Sequence, residues 1–136
     1  MKMTLPLVRD YMATRVTTLT PEVNILDAVD LLVEQQISGA PVVSEGRLVG
    51  MLSEKDCLRL LSKGRESDAD VPTGTVGDYM VTDVRTIPPD MDIYYVAGLF
   101  LNNPYRRYPV VDDGVVVGQI SRRDVLRAIQ AFVPRE

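Results

Sequence analysis

The chain has 136 residues, 46% of them hydrophobic and 25% charged, which is the balance of a globular protein with room for two small halves around a core. A formal net charge of −4 argues against general binding to nucleic-acid phosphates, and the lack of any histidine removes the commonest general base and metal ligand, and with them Ser–His–Asp triads and zinc-hydrolase sites. The single cysteine, Cys57, cannot form an internal disulfide, and no apolar run is long enough for a membrane span or a signal peptide, so the expected setting is the cytoplasm with no membrane partner.

In chain order, a short helical segment ends at Met12, and a short strand is expected near Val16–Leu19, followed by a turn at Pro21. Asn24-Ile25-Leu26-Asp27 offers an N-cap and a third-position carboxylate, and Ile25, Ala28, Val29 and Leu32 then recur at helical spacing. A hairpin follows, with strands Pro41–Ser44 and Arg47–Leu52 around a tight turn at Glu45-Gly46. A last helix is expected from Ser53, carrying Leu58 and Leu61 inward. Residues 63–75, rich in Gly, Ser, Asp and Pro, read as a linker. The same order then returns: a short helical segment ending at Met80, a strand near Val84–Ile87, and a helix from Asp92 with Ile93, Val96, Ala97 and Phe100 on one face. A hairpin turning at Asp113-Gly114 follows, then a last helix from Ser121 with Leu126 and Ile129 inward.

The recurrence is a repeat. Shifting the chain by 68 residues aligns Val8–Leu61 with Val76–Ile129 without a gap, and roughly 20 of about 54 positions are identical. Among them, Pro41-Val42-Val43 falls on Pro109-Val110-Val111, Val49-Gly50 on Val117-Gly118, and Ser53, Asp56, Leu58 and Arg59 on Ser121, Asp124, Leu126 and Arg127. The expected domains are a first repeat over 1–62, the linker 63–75 and a second repeat over 76–136. One half alone buries little apolar surface, so the two are expected to pack on each other.

The segment Gly50-Met51-Leu52-Ser53-Glu54-Lys55-Asp56 and its copy Gly118-Gln119-Ile120-Ser121-Arg122-Arg123-Asp124 resemble the signature of the cystathionine-β-synthase (CBS) domain family: Gly, two mostly apolar residues, Ser or Thr, two variable residues, Asp. Two copies in register with the repeat, each after a hairpin opened by proline, make the resemblance specific, and it covers nearly the whole chain. It implies an α/β (α+β) fold of two tandem βαββα repeats packed as a pseudo-twofold pair, commonly assembled as a homodimer. It further implies clefts for AMP, ADP, ATP or S-adenosylmethionine as regulatory ligand, with no cofactor required; that no base–nucleophile or metal constellation appears among the residues leads to the expectation of no metal site and no catalytic residues.

In the family's manner, Asp56 and Asp124 would hold ribose hydroxyls and Ser53 and Ser121 a phosphate, with Val16, Thr18, Ile37, Ser38, Gly39, Ala40 and Pro41 around one ligand and Val84, Thr86, Arg106, Arg107, Tyr108 and Pro109 around the other; Arg123 joins the second set. General chemistry supports these roles: a carboxylate accepts from both hydroxyls of a diol, and the N-terminus of a helix favours an anion. A plainer reading stands beside it, because Ser followed three residues later by Asp is also a capping box, which needs no ligand. Tyr105 stacks on a base or packs a core, Tyr108 has the bulk to occlude its cleft, and Arg122 and Arg123 either meet phosphate or face solvent. The functional expectation is a non-catalytic regulatory adenine-nucleotide sensor acting on an unidentified protein, with a structural dimerisation or docking module with empty clefts as its rival.

Overall fold

The computed structural model of the chain describes residues 5–63 and 73–135, so the middle of the expected linker, 64–72, lies outside the described residues. In chain order the elements are α1 (Val8–Tyr11), α2 (Ile25–Gln35), β1 (Gly39–Ser44), β2 (Arg47–Ser53), α3 (Glu54–Lys63), α4 (Val76–Tyr79), α5 (Ile93–Asn102), β3 (Arg107–Asp112), β4 (Val115–Ser121) and α6 (Arg122–Phe132). They form two compact units whose boundaries cut across the repeats. One unit is the continuous stretch 17–84; the other joins the residues up to 16 to those from 85 onward. Each unit therefore takes its short first helix from the opposite repeat: α4 lies in the continuous unit and α1 in the split one.

In the continuous unit, the Asn24 side chain accepts the Leu26 N–H at 2.8 Å and starts α2, which buries Ile25, Ala28 and Leu32. β1 and β2 pair antiparallel from Gly39↔Ser53 to Ser44↔Arg47, with a bulge between Val42 and Val43. The turn residues Glu45 and Gly46 have φ of 53° and 79°, the left-handed pair that a two-residue hairpin needs. Ala40, Val42 and Leu52 face a core closed by Leu60 of α3 and by Val76 and Tyr79 of α4. The split unit repeats this plan. Asp92 caps α5 through the Tyr95 N–H at 2.9 Å, Asp113 and Gly114 turn the hairpin at φ 50° and 80°, and Tyr108, Val110 and Ile120 line a core closed by Val125, Ala128 and Val8 of α1.

Two expectations are corrected. The first strand of each copy is reduced to a single parallel bridge, Leu19↔Val42 and Ile87↔Val110. Leu19 donates to the Pro41 carbonyl at 2.9 Å and accepts from Val43 at 2.8 Å. One step toward the N-terminus, the ladder calls for an N–H from Pro41, and one step beyond it calls for an N–H from Pro21. Proline has neither, so the ladder is clipped on both sides, as it is by Pro109 and Pro89 in the second copy. The last helices also turn a different face inward. Leu58, Leu61, Leu126 and Ile129 are exposed, while Cys57 and Leu60, and Val125 and Ala128, point to the core. Two overlapping apolar rows run along each helix. The hairpin chooses between them, because the Glu54 N–H is tied to the Ser38 carbonyl at 2.9 Å and the Arg122 N–H to the Arg106 carbonyl at 3.3 Å, which sets the rotational phase of the first turn.

The borrowed segment lies against bare backbone. Val81 exchanges both backbone hydrogen bonds with Met51, each 2.9 Å, beside Gly50; Ala13 does the same with Gln119 beside Gly118. A β-carbon built on Gly50 would come within 2.6 Å of the Met80 sulfur and 2.9 Å of the Val81 carbonyl oxygen, and one on Gly118 within 2.6 Å of the Met12 sulfur and 2.8 Å of the Ala13 carbonyl oxygen. The methionines can rotate away but the carbonyls cannot. Gly50→Ala and Gly118→Ala are each expected to lower stability in urea denaturation by about 1–3 kcal/mol, the usual cost of overpacking; an unchanged midpoint would show that the segment is loosely held.

Candidate functional site

Three short segments converge in each unit. In the continuous unit, the bridge at Leu19 holds 17–19 against Pro41, the pairing Gly39↔Ser53 holds the start of β1 against the end of β2, and the bond from Glu54 to Ser38 seals α3 onto both. In the split unit the same joints are Ile87 to Pro109 at 3.1 Å, Arg107↔Ser121, and Arg122 to Arg106. Thr18, Ser38, Gly39, Pro41, Ser53 and Asp56 are thus brought together, as are Thr86, Arg106, Arg107, Pro109, Ser121 and Asp124. Val16 and Val84 stand one residue outside, since the unit boundaries fall immediately after each of them.

At the centre of each set is a helix start. The Ser53 backbone N–H and hydroxyl both donate to Asp56 Oδ2 at 2.9 Å, and the Asp56 N–H returns to the Ser53 hydroxyl at 3.3 Å. Ser121 and Asp124 repeat this at 2.9, 3.0 and 3.2 Å. The capping box is therefore formed in both copies and occupies one carboxylate oxygen. The other oxygen faces an arginine: Arg127 lies 2.7 Å from Asp124 Oδ1, whereas Arg59 lies 3.6 Å from Asp56 Oδ1. A carboxylate offers about four lone-pair directions, so the cap leaves acceptor capacity, more of it on Asp56 than on Asp124.

The side chains around these centres divide by strand alternation. Ala40 and Tyr108 point into the cores. Tyr108 is 2% exposed, packs its ring at a tilt against Phe100 with centroids 4.9 Å apart and donates its hydroxyl to the Leu99 carbonyl at 3.3 Å, so its bulk fills the core. Ile37 packs against the continuous unit's core, and Tyr105, half-exposed, meets Tyr108 edge-on at 5.5 Å. A β-carbon on Gly39 would stand 2.9 Å from the Leu52 carbonyl oxygen, whereas the second hairpin accommodates Arg107 at the same register position.

Opposite the core, the second copy carries Arg107 and Gln119 where the first has Gly39 and Met51. Nε of Arg107 and Oε1 of Gln119 are buried without a hydrogen-bond partner among the described residues, an unusual state for buried polar atoms. Arg106, Arg122 and Arg123 are exposed. The sequence reading missed a fifth cation: Arg85, next to Thr86, lies within electrostatic reach of Tyr108 together with Arg122. The signal was present in the repeat alignment, where Arg85 replaces Thr17. No group of three potential metal-ligating side chains occurs among the described residues, and no helix among them is long and apolar enough to cross a membrane.

A protein-family model described as the CBS domain matches residues 8–63 and again 76–131. The chain belongs to the CBS-domain family. The CBS domain-containing protein YhcV of Bacillus subtilis is 33% identical over 119 residues, covering 87% of this chain and 81% of its own. Other CBS relatives are longer: the chain spans 14% of the A-adding tRNA nucleotidyltransferase of Aquifex aeolicus, at 33% identity over 90% of this chain, and 42% of protein MJ1225 of Methanocaldococcus jannaschii. Among solved structures, CBSX2 in complex with AMP superposes with a TM-score of 0.82 at 31% identity, covering 95% of this chain and 99% of that one. The CBS domain pair of protein MJ0100, in complex with 5′-methylthioadenosine and S-adenosyl-L-methionine, gives 0.77 at 26% identity over 94% and 98%. The fold is thus that of a CBS pair, mixed helix and antiparallel hairpins.

Cys57, beside Asp56, has its thiol pushed up by burial first and then by the Asp56 carboxylate. A raised thiol pKa means less thiolate at a given pH. Alkylation by iodoacetamide is expected to be slower than for an unperturbed thiol at pH 8 and to rise with pH above the ordinary thiol range. A rate profile centred at or below that range would mark Cys57 as activated.

Proposed function

We propose that this chain is a regulatory binding module for adenosine compounds, with one candidate site in each unit and no catalytic step. The observation that carries the reading is the doubled convergence of a Ser–Asp helix start, a pre-proline hairpin strand and a proline-clipped extended segment, in a CBS pair whose structural relatives hold AMP, S-adenosylmethionine and methylthioadenosine. The clipped segment supports it physically. Pro41 and Pro109 have no N–H to give the Thr17 and Arg85 carbonyls, so a base edge can meet that backbone where a strand would otherwise pair. Asp56 and Asp124 would accept the ribose hydroxyls. An intracellular setting, where such compounds are abundant, goes with this reading.

The two sites would differ in ligand charge. Arg107, with its unpaired Nε, and the neighbouring Arg85, Arg106, Arg122 and Arg123 suit a ligand with several phosphate charges. The continuous unit, with Thr17, Ser38 and Gly39 in the corresponding places, suits AMP or a less charged nucleoside derivative. Ligand binding would act by favouring one of two states of the pair, which requires different affinity for each.

Calorimetric titration tests this. Asp56→Ala and Asp124→Ala are each expected to weaken binding at one site by about 1.5–3 kcal/mol, the range for a hydrogen bond to a charged group, with a smaller cost to folding from the lost cap. With Asp56→Ala protein, the remaining site is expected to prefer ATP over AMP, less so at high salt. Equal titrations in all variants would return both aspartates to capping alone.

A second reading, a docking or dimerisation module, is favoured by the exposed apolar side chains Leu58, Leu61, Leu101, Leu126 and Val33. The readings are compatible in a homodimer. Sedimentation at tens of micromolar is expected to give twice the 15.1 kDa chain mass, and a monomer would remove the homodimer.

A further inference from the structure

Arg59 and Arg127 occupy the same place in the repeat, three residues after the site aspartate, and each reaches in two directions. Arg127 Nη2 donates to Asp124 Oδ1 at 2.7 Å and to the Tyr11 carbonyl at 2.9 Å. Arg59 Nη2 donates to the Tyr79 carbonyl, its Nε donates to the Asp56 carbonyl at 3.3 Å, and its guanidinium lies 5.9 Å from the Tyr79 ring centre. Tyr11 and Tyr79 end α1 and α4, the helices that each unit takes from the opposite repeat. A cation on the last carbonyl of a helix is well matched to the partial negative charge there. One arginine thus joins the carboxylate of each candidate site to the borrowed segment.

The carboxylate oxygen that Arg127 holds is the one the capping box leaves open, since Ser121 uses Oδ2. A ribose hydroxyl arriving at Asp124 must share or take Oδ1. If it takes it, Arg127 is left with the Tyr11 carbonyl alone, and the end of α1 loses the anchored half of its tether. Residues 12–16 follow directly and run into the continuous unit at Thr17, two residues before the Leu19 bridge of the other candidate site. From the Asp124 carboxylate, two hydrogen bonds through one arginine reach Tyr11, and eight residues of chain lead from there to Leu19. In the first copy the equivalent ion pair is longer, 3.6 Å, so the tether there is looser.

We propose that Arg127, and more weakly Arg59, are positioning residues that couple occupancy of the site aspartate to the segment borrowed from the other repeat. This rests on the adenosine reading for the ligand, but the tether itself does not. Hydrogen exchange of the full chain carrying Asp56→Ala, which keeps the Asp124 site alone, with and without ATP, tests it. In that protein, ATP is expected to speed exchange in 8–13 by about two- to five-fold, the scale of an exposed ion pair. Adding Arg127→Met is expected to abolish that ATP-dependent change while ATP still binds by calorimetry, and Arg127→Lys to restore part of it. A merely structural arginine would shift exchange equally with and without ATP, and that result, or an ATP-dependent change that survives in Arg127→Met, overturns the proposal. So does ATP binding to the Asp56→Ala protein with no change in 8–13. Should ATP not bind that protein at all, the adenosine reading fails for the Asp124 site and the tether is read in the free protein. There Asp124→Asn and Arg127→Met are each expected to speed exchange in 8–13, with the double variant no faster than the stronger single one. Additive effects would show that the two residues are not coupled.

Discussion

Bare backbone at two glycines is the constraint on which the architecture depends. At Gly50 and Gly118, a methionine sulfur and a carbonyl oxygen of the borrowed segment sit where a β-carbon would otherwise be. That close approach lets Val81 pair with Met51, and Ala13 with Gln119, as though each hairpin had a further strand. With the segment in place, Val8 and Val76 complete cores belonging to the opposite repeat, and the tyrosines that end the short helices come within reach of Arg127 and Arg59. Neither repeat closes its core alone. Folding of each unit draws on residues of both repeats.

The Ser–Asp pair gives one carboxylate a capping task and leaves it room for the binding role proposed above. A capping box satisfies two donors at a helix start and leaves one oxygen over. In a helix facing only solvent, that oxygen would be hydrated; here it lies beside a hairpin edge and under an arginine. Capping and ligand binding are not exclusive. What separates the copies is how firmly the spare oxygen is already held, 2.7 Å from Arg127 against 3.6 Å from Arg59.

Divergence between the copies is confined to the side of the hairpin away from the core. Core positions exchange like for like, Leu52 for Ile120 and Val42 for Val42's counterpart Val110, while the opposite face changes Gly39 to Arg107 and Met51 to Gln119. The exception is Ala40 to Tyr108, which is absorbed inside the core by Phe100 where the first copy has Leu32. A duplicated scaffold has kept its packing and varied its chemistry.

Much of this was legible in the sequence because it depends on local rules. The two caps at Asn24 and Asp92, the left-handed turn pairs Glu45-Gly46 and Asp113-Gly114, and the Ser–Asp boxes follow from residue types a few positions apart, and the structure contains them all. The clipping of the first strand was not legible, because the prolines at 21, 41, 89 and 109 interrupt a ladder whose partner only the structure supplies. The phase of α3 and α6 was not, because two apolar rows compete on each helix and only the bonds to the Ser38 and Arg106 carbonyls choose between them. Nor did side-chain type disclose that Tyr108 turns inward, since that depends on the space beside Phe100. By itself the sequence determined the repeat, its family and the residues that begin each helix, all of which are matters of spacing along the chain. Only the tertiary structure decided that each short first helix serves the other repeat, because the contacts at Gly50 and Gly118 join segments that the repeat pattern assigns to different halves.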